Sequence, residues 1–219
     1  MPLLENEMIL FVHIPKTAGS TVERFLGKGQ GRRWSLTGRI KPEKPSLPHR
    51  GDLGDITRLN PDRLNNKPRQ SLRQHLVLDD ICRLIGKEEI QRCMRFCVIR
   101  NPWDRLVSFY EYGRQTGGRM KTAGLSFQEW FVSRPITPRL LPYIRIGGEV
   151  DPGMHCLRFE KFDEDFGDYV EALGLRWQSN IYEKKTRRGD YRVYYTDEMA
   201  EALYNECRGD IEYFGYRFD

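Results

Sequence analysis

Lys16 stands in the stretch Pro15-Lys16-Thr17-Ala18-Gly19-Ser20-Thr21. One cation, three hydroxyls and a glycine are gathered in seven residues. An apolar run, Ile9 to Ile14, precedes them, and Val22, Phe25 and Leu26 follow on one helical face. The run is short and β-branched and predicts a buried strand, and the spacing after it predicts a helix start. A loop between those elements is an anion site on physical grounds. The first N–H groups of a helix lack internal partners, and the helix dipole adds partial positive charge there. Gly19 lets the backbone come close, and Thr17, Ser20 and Thr21 offer hydroxyl donors. In a Walker loop the lysine follows the second glycine and the next hydroxyl ligates magnesium. Here Lys16 precedes Gly19, and no Gly-Lys-Ser/Thr occurs. The expected ligand is an anion held without a metal, with Lys16 as its electrophilic partner. The other reading of the same residues is a tight turn with a solvent lysine.

A second junction follows the apolar run Arg95 to Arg100, which ends in arginine where a metal-binding aspartate would stand. Asn101 can N-cap the next helix, with Pro102 at its first position and Asp104 in its first turn. Trp103, Leu106, Val107 and Tyr110 give the i, i+3, i+4, i+7 pattern of a packed helix. Ser108 lies two turns in. Helical side chains lean toward the N-terminus, so Ser108 and Arg100 can share one anion. An arginine before Asn-Pro also serves as a structural ion-pair partner.

Together, "HIPKTAGST" and "VIRNPWDRLVSFY" resemble the sulfotransferase superfamily, in its carbohydrate-type, family 2-like branch. The resemblance implies that residues Pro15 to Thr21 bind the 5′-phosphosulfate of 3′-phosphoadenosine 5′-phosphosulfate (PAPS). It implies that Arg100 and Ser108 bind the 3′-phosphate, that 3′-phosphoadenosine 5′-phosphate is the product, and that no metal takes part. "LRFEKFDEDF" and "YYTDEMAEAL…DIEYFGYRF" are similar to later family segments. "KKTRRGDYRVYYT" resembles the segment that caps the 3′-phosphate in cytosolic sulfotransferases, with its order altered. Its Lys184, Lys185, Arg187, Arg188 and Gly189 either form that cap or make a solvated basic turn. Residues 27–74 carry no resemblance, and acceptor recognition is expected there.

The acceptor hydroxyl needs a base, and the chain has four histidines. His13 lies in the first strand, where a packed or hydrogen-bonded role is expected. His49 lies in the polar stretch, and His155 starts a strand. His75, at the entry to "LVLDDICRLIG", resembles the base of carbohydrate sulfotransferases. An ordinary histidine pKa near 6.5 suits proton abstraction at neutral pH. Asp52 or Asp55 is the alternative base. The family implies an acceptor hydroxyl, on a sugar or polysaccharide. A basic substrate-facing segment fits an anionic glycan or oligosaccharide, and would also suit a small phenol or lipid.

The elements that must position these residues predict an α/β fold: one P-loop-like domain, 1–219, with a central, mostly parallel sheet flanked by helices. A helix is expected up to Gly86, and another after the capping box Ser126-Phe127-Gln128-Glu129. A third strand is expected over Met154 to Phe159, then helices over about 163–173 and from Thr196. Residues 27–74 read as irregular, with glycines at 27, 29 and 31 and prolines at 42, 45, 48, 61 and 68. Between Lys28 and Arg50 that stretch holds seven Lys or Arg and one acid, Glu43, so it is expected to form a basic, substrate-facing lid, with a solvated loop as the other reading.

Bulk properties bound the rest. The 219 residues, 39% apolar and 31% charged, suit one soluble domain of ordinary size. Mean hydropathy is -0.66, and no run approaches the roughly 20 apolar residues of a membrane span. The N-terminus lacks the marks of a signal peptide. The five cysteines are scattered without a zinc pattern and read as reduced thiols of a cytoplasmic, bacterial-type enzyme, or of the trimmed catalytic domain of a membrane-anchored one. A net charge of +5 fits an anionic ligand. It leaves two other classes in view, a P-loop-type nucleotide kinase and a basic nucleic-acid or polyanion binder. The first lacks its glycine-lysine pair. The second lacks a reader motif, and Trp34 is its only aromatic between residues 28 and 50.

Overall fold

The computed structural model describes residues 8–28, 33–34, 39–41, 75–117, 119–177 and 189–219. Strand β1 (Met8–Val12) leads through the Lys16 loop into helix α1 (Gly19–Lys28). Strands β2 (Arg33–Trp34) and β3 (Arg39–Lys41) follow. Helices α2 (Leu78–Ile85) and α3 (Lys87–Gln91) precede β4 (Cys93–Ile99) and α4 (Pro102–Gln115). Helix α5 (Phe127–Ser133) and the short pair β5 (Arg145–Ile146) and β6 (Glu149–Val150) come next. Strand β7 (Met154–Arg158), α6 (Phe162–Ala172) and α7 (Asp197–Phe214) follow.

The main sheet runs β2-β3-β1-β4-β7. β1 and β4 pair in parallel, with Phe11 opposite Phe96, and so do β4 and β7, with Cys97 opposite Cys156. This is the parallel centre the alternating pattern predicts. β3 pairs antiparallel with β1, and β2 with β3. Both lie in the stretch expected to be irregular, so that expectation is corrected over 33–34 and 39–41. Residues 42–74 lie outside the described residues, as do His49, Asp52 and Asp55.

Parallel strands are covered on both faces, and alternate residues choose a face. Ile9, Phe11, Phe96 and Val98 pack against Val22, Phe25 and Leu26 of α1 and Phe162, Phe166 and Val170 of α6. Leu10, Val12, Cys97 and Ile99 pack the other way, against Leu78 and Ile81 of α2, Leu106 and Val107 of α4, Trp130 of α5, and Leu203 and Ile211 of α7. Each such side chain contributes about 1.5–3 kcal/mol when fully buried. The result is a three-layer α/β/α unit. The carboxyl ends of β1 and β4 are neighbours, and both open into loops that start helices. Ligands of such sheets collect at that edge.

Candidate anion-binding site

The loop after β1 is unusual in its backbone. Lys16 and Ala18 both have φ 66°, while Thr17 between them does not share that sign. A left-handed conformation costs a non-glycine residue about 1–2 kcal/mol. Alternating signs of φ curl the chain so that neighbouring N–H groups converge into an anion nest. Two arginines hold the turn by its carbonyls. Arg105 Nε donates to Pro15 O at 2.7 Å, and Arg100 Nη1 donates to Lys16 O at 3.0 Å. Thr21 N and Val22 N then close the first turn of α1 on Ala18 O, at 2.8 and 3.2 Å. The fully buried Thr17 hydroxyl donates to Ile14 O at 2.8 Å. Its side chain therefore braces the turn, and its proton is not aimed at a ligand as expected. Ser20 is half-buried and Thr21 buried at the head of the helix.

Gly19 has a local cause. A Cβ built there would fall 2.0 Å from His13 Nε2. The space that a side chain at position 19 would fill is thus taken by an imidazole of the protein. His13 Nδ1 meets Glu23 Oε1 at 2.6 Å, so the packed, hydrogen-bonded role expected for His13 is the one observed. His75 stands beside it, with ring centroids 4.5 Å apart and nearly perpendicular. His75 Nδ1 lies 3.2 Å from His13 O. A carbonyl only accepts, so Nδ1 carries the proton and Nε2 is left as the acceptor. Burial, and next His13, lower the His75 pKa from 6.5 to about 4, against the opposing pull of the His13 carbonyl and Glu23. His75 is therefore neutral at pH 7.

At the second junction, Arg100 is buried, bonds Asp104 Oδ2 through Nε at 2.7 Å, and lies 3.9 Å over the Phe159 ring. Ser108 is buried two turns along α4. Arg105, Ser108 and Tyr112 share a helical face by spacing, and Lys16 Nζ lies 4.0 Å from the centroid of the Tyr112 ring. Arg105 is 2% exposed, and burial lowers its pKa to about 10, which still leaves it charged at neutral pH. Sequence reasoning missed both Arg105 and Tyr112. Each falls off the apolar stripe of α4 and reads as solvent-facing.

Asn101 caps α4 as expected, its side chain accepting from Trp103 N at 3.0 Å and Asp104 N at 3.4 Å. Its Nδ2 donates to Arg217 O at 2.8 Å and reaches the Tyr191 hydroxyl at 3.4 Å. That hydroxyl donates to Phe218 O at 2.9 Å. The stretch after Gly189 and the C-terminal tail therefore lie over the start of α4. Gly189 is exposed, with nothing within 4 Å of an added Cβ. Lys184, Lys185, Arg187 and Arg188 lie outside the described residues. His155 is exposed on β7, against Tyr169. Among the described residues, no group of three or more His, Cys, Asp or Glu could hold a metal ion. No described helix is long and apolar enough to cross a membrane.

A nest-like loop after one parallel strand, bonded by the arginine that follows its neighbour, sits at the carboxyl edge of the sheet of an α/β protein. Residues 4–135 match the sulfotransferase family, and the chain belongs to that family, in its family 2-like branch. Comparison with curated proteins and with solved structures found no match.

Proposed function

We propose that the chain moves the sulfuryl group of PAPS to an acceptor hydroxyl on a carbohydrate, by in-line displacement. One observation carries this reading: Arg100 donates to the carbonyl of Lys16. That bond makes one rigid unit of the cradle after β1 and the arginine junction after β4. A ligand with phosphates at both ends of a nucleoside would meet both at once. The donor set fits such a ligand. It consists of Lys16, the hydroxyls of Ser20, Thr21 and Ser108, Arg100, and the N–H groups at the head of α1. When bound, PAPS supplies a sulfuryl group joined to a phosphate that can leave with the bond electrons.

Charge in such a displacement builds on the departing oxygen, so the work of the protein is positioning and electrostatic stabilisation. Lys16 brings one compact positive charge to that oxygen. The nest and helix start hold the 5′ end, and Arg100 and Ser108 hold the 3′-phosphate. By their resemblance to the family's capping segment, Lys185, Arg187, Arg188 and Gly189 are proposed as further partners of the same phosphate. His75 Nε2 takes the proton of the attacking hydroxyl, while Nδ1, bonded to the His13 carbonyl, fixes the ring. The proposed acceptor is an anionic glycan or oligosaccharide, which the basic composition of residues 28–50 suits.

Calorimetry with 3′-phosphoadenosine 5′-phosphate, with and without magnesium, tests the reading. Metal-independent binding is expected, and Arg100→Ala is expected to weaken it at least about tenfold, the scale of a charged hydrogen bond. Binding of ATP only with magnesium would favour a kinase, and no binding of either nucleotide would sink the proposal. A screen of acceptors with radiolabelled PAPS then identifies the hydroxyl.

A further inference from the structure

We infer that Tyr112 is a positioning residue for Lys16, holding its ammonium over the phenol ring; the role assigned to Lys16 in transfer rests on the sulfotransferase reading, while the hold itself does not. The Lys16 backbone is already fixed, at φ 66° with its carbonyl bonded by Arg100. Its preceding carbonyl, that of Pro15, is bonded by Arg105. The Lys16 side chain is a flexible four-carbon stem ending in a point charge. Lys16 Nζ lies 4.0 Å from the Tyr112 ring centroid. That is well inside the range of about 6 Å over which a ring quadrupole attracts a cation.

Tyr112 is suited to this by where it stands. It lies on α4, a helix fixed at its start by the Asn101 cap and tied to the loop by Arg105. Counting from Arg105, positions 105, 108 and 112 fall on one face, so the ring sits one turn beyond Ser108. Lys16 is thereby drawn along the same face on which Ser108 is expected to meet the ligand. An aromatic ring also differs from a carboxylate as a holder. It attracts the ammonium without adding a full negative charge, so it neither cancels the lysine nor repels an arriving anion.

The test uses the full chain and three proteins: wild type, Tyr112→Phe and Tyr112→Leu. Lys16 is labelled with an N-hydroxysuccinimide acetate ester, and its acetylation rate is followed by mass spectrometry of its peptide. An ammonium held over a ring must leave it to react. Tyr112→Leu is therefore expected to label about two- to fivefold faster, the scale of one partly exposed cation–π contact, and Tyr112→Phe to match wild type. In turnover with PAPS, Tyr112→Leu should lower kcat by about the same factor while affinity for 3′-phosphoadenosine 5′-phosphate stays within about twofold, and Tyr112→Phe should restore kcat. Equal labelling of Lys16 in wild type and Tyr112→Leu overturns the inference. So does a loss of nucleotide affinity as large as the loss of kcat, which would make Tyr112 a binding or structural residue. If labelling shifts as expected but the wild type neither binds the nucleotide nor turns over, the hold on Lys16 stands and the reading of the reaction falls.

Discussion

An added Cβ at Gly19 would fall 2.0 Å from His13 Nε2, and the His13 ring cannot swing aside without giving up its 2.6 Å contact with Glu23. Gly19→Ala is therefore expected to destabilise the protein by about 1–3 kcal/mol, the usual penalty of overpacking, as measured by urea unfolding. His13→Ala in the same chain should recover part of that loss, because the two changes share one space. Strictly additive penalties would show that the imidazole is not what Gly19 accommodates. His75, beside them, makes a prediction with a sign. Its pKa falls from 6.5 to about 4 on folding, chiefly through burial and then His13. Between those values the unfolded chain binds more protons than the folded one. Stability is thus full above 6.5 and is lost as the pH drops through about 4. At 1.36 kcal/mol per unit the effect is about 3 kcal/mol at most, less what solvent at this partly exposed ring screens. His75→Gln should flatten that slope in urea titrations at pH 7, 5.5 and 4.5. In turnover, His75→Ala should lose about 10²–10⁴-fold in kcat with nucleotide affinity unchanged. The acid limb of the wild-type rate should fall near the lowered pKa rather than near 6.5.

Helix α4 is the element on which the site is assembled, and its first residue outside the helix carries two duties. Asn101 accepts from Trp103 N and Asp104 N, and donates to Arg217 O. Asn101→Ala removes both and is expected to cost about 1–2 kcal/mol from the cap alone. Asn101→Asp keeps an acceptor for the cap but has no donor for Arg217. It should retain most of the stability while hydrogen exchange over 215–219 quickens; unchanged exchange in both variants would show that the tail is held by other contacts. The start of α4 was legible in the sequence because caps are local. The same holds for α5, where Ser126 and Glu129 bond each other's backbone, and for α7, where Thr196 accepts from Met199 N. Strands of two and three residues, such as β2 and β3, carry no period and could not be read. The two strand-to-helix junctions that carry Lys16 and Arg100, and the helix that carries Ser108, were legible because their patterns are local. Arg105 was not, because its partner Pro15 lies 90 residues away. Thr17 was misread as a donor to a ligand because nothing in its type reveals that Ile14 O takes its proton.

Across the whole molecule, the residues that match the family, 4–135, do not by themselves enclose either core. β7 pairs with β4 from Arg95 opposite Met154 to Ile99 opposite Arg158. α6 supplies Phe162, Phe166 and Val170 to one face of the sheet, and α7 supplies Leu203, Cys207 and Ile211 to the other. The two halves are also stitched by polar bonds. Trp103 Nε1 donates to Ala200 O at 3.0 Å and the Tyr195 hydroxyl donates to Trp103 O at 2.9 Å, while within the second half the buried Asp210 carboxylate accepts from Leu140 N and Leu141 N. Burial pushes the Asp210 pKa up while those two N–H groups and then Arg105 and Arg139 pull it down. Asp210→Asn turns an amide donor toward a backbone donor and should cost about 1–3 kcal/mol, shifting a urea transition that stays cooperative. A chain ended after residue 135 is a different case. It would leave β4 as an open edge and bare both faces of the sheet, so a transition without cooperativity, a featureless near-ultraviolet circular dichroism spectrum and no nucleotide binding are expected. Nucleotide binding would go with the fold even though Lys16, Arg100 and Ser108 are all retained, because α7 packs into the same core as the helix that carries Ser108 and accepts a bond from its Trp103. A sharp urea transition together with nucleotide binding in the shortened chain would mean that β7, α6 and α7 only cover a unit already complete without them.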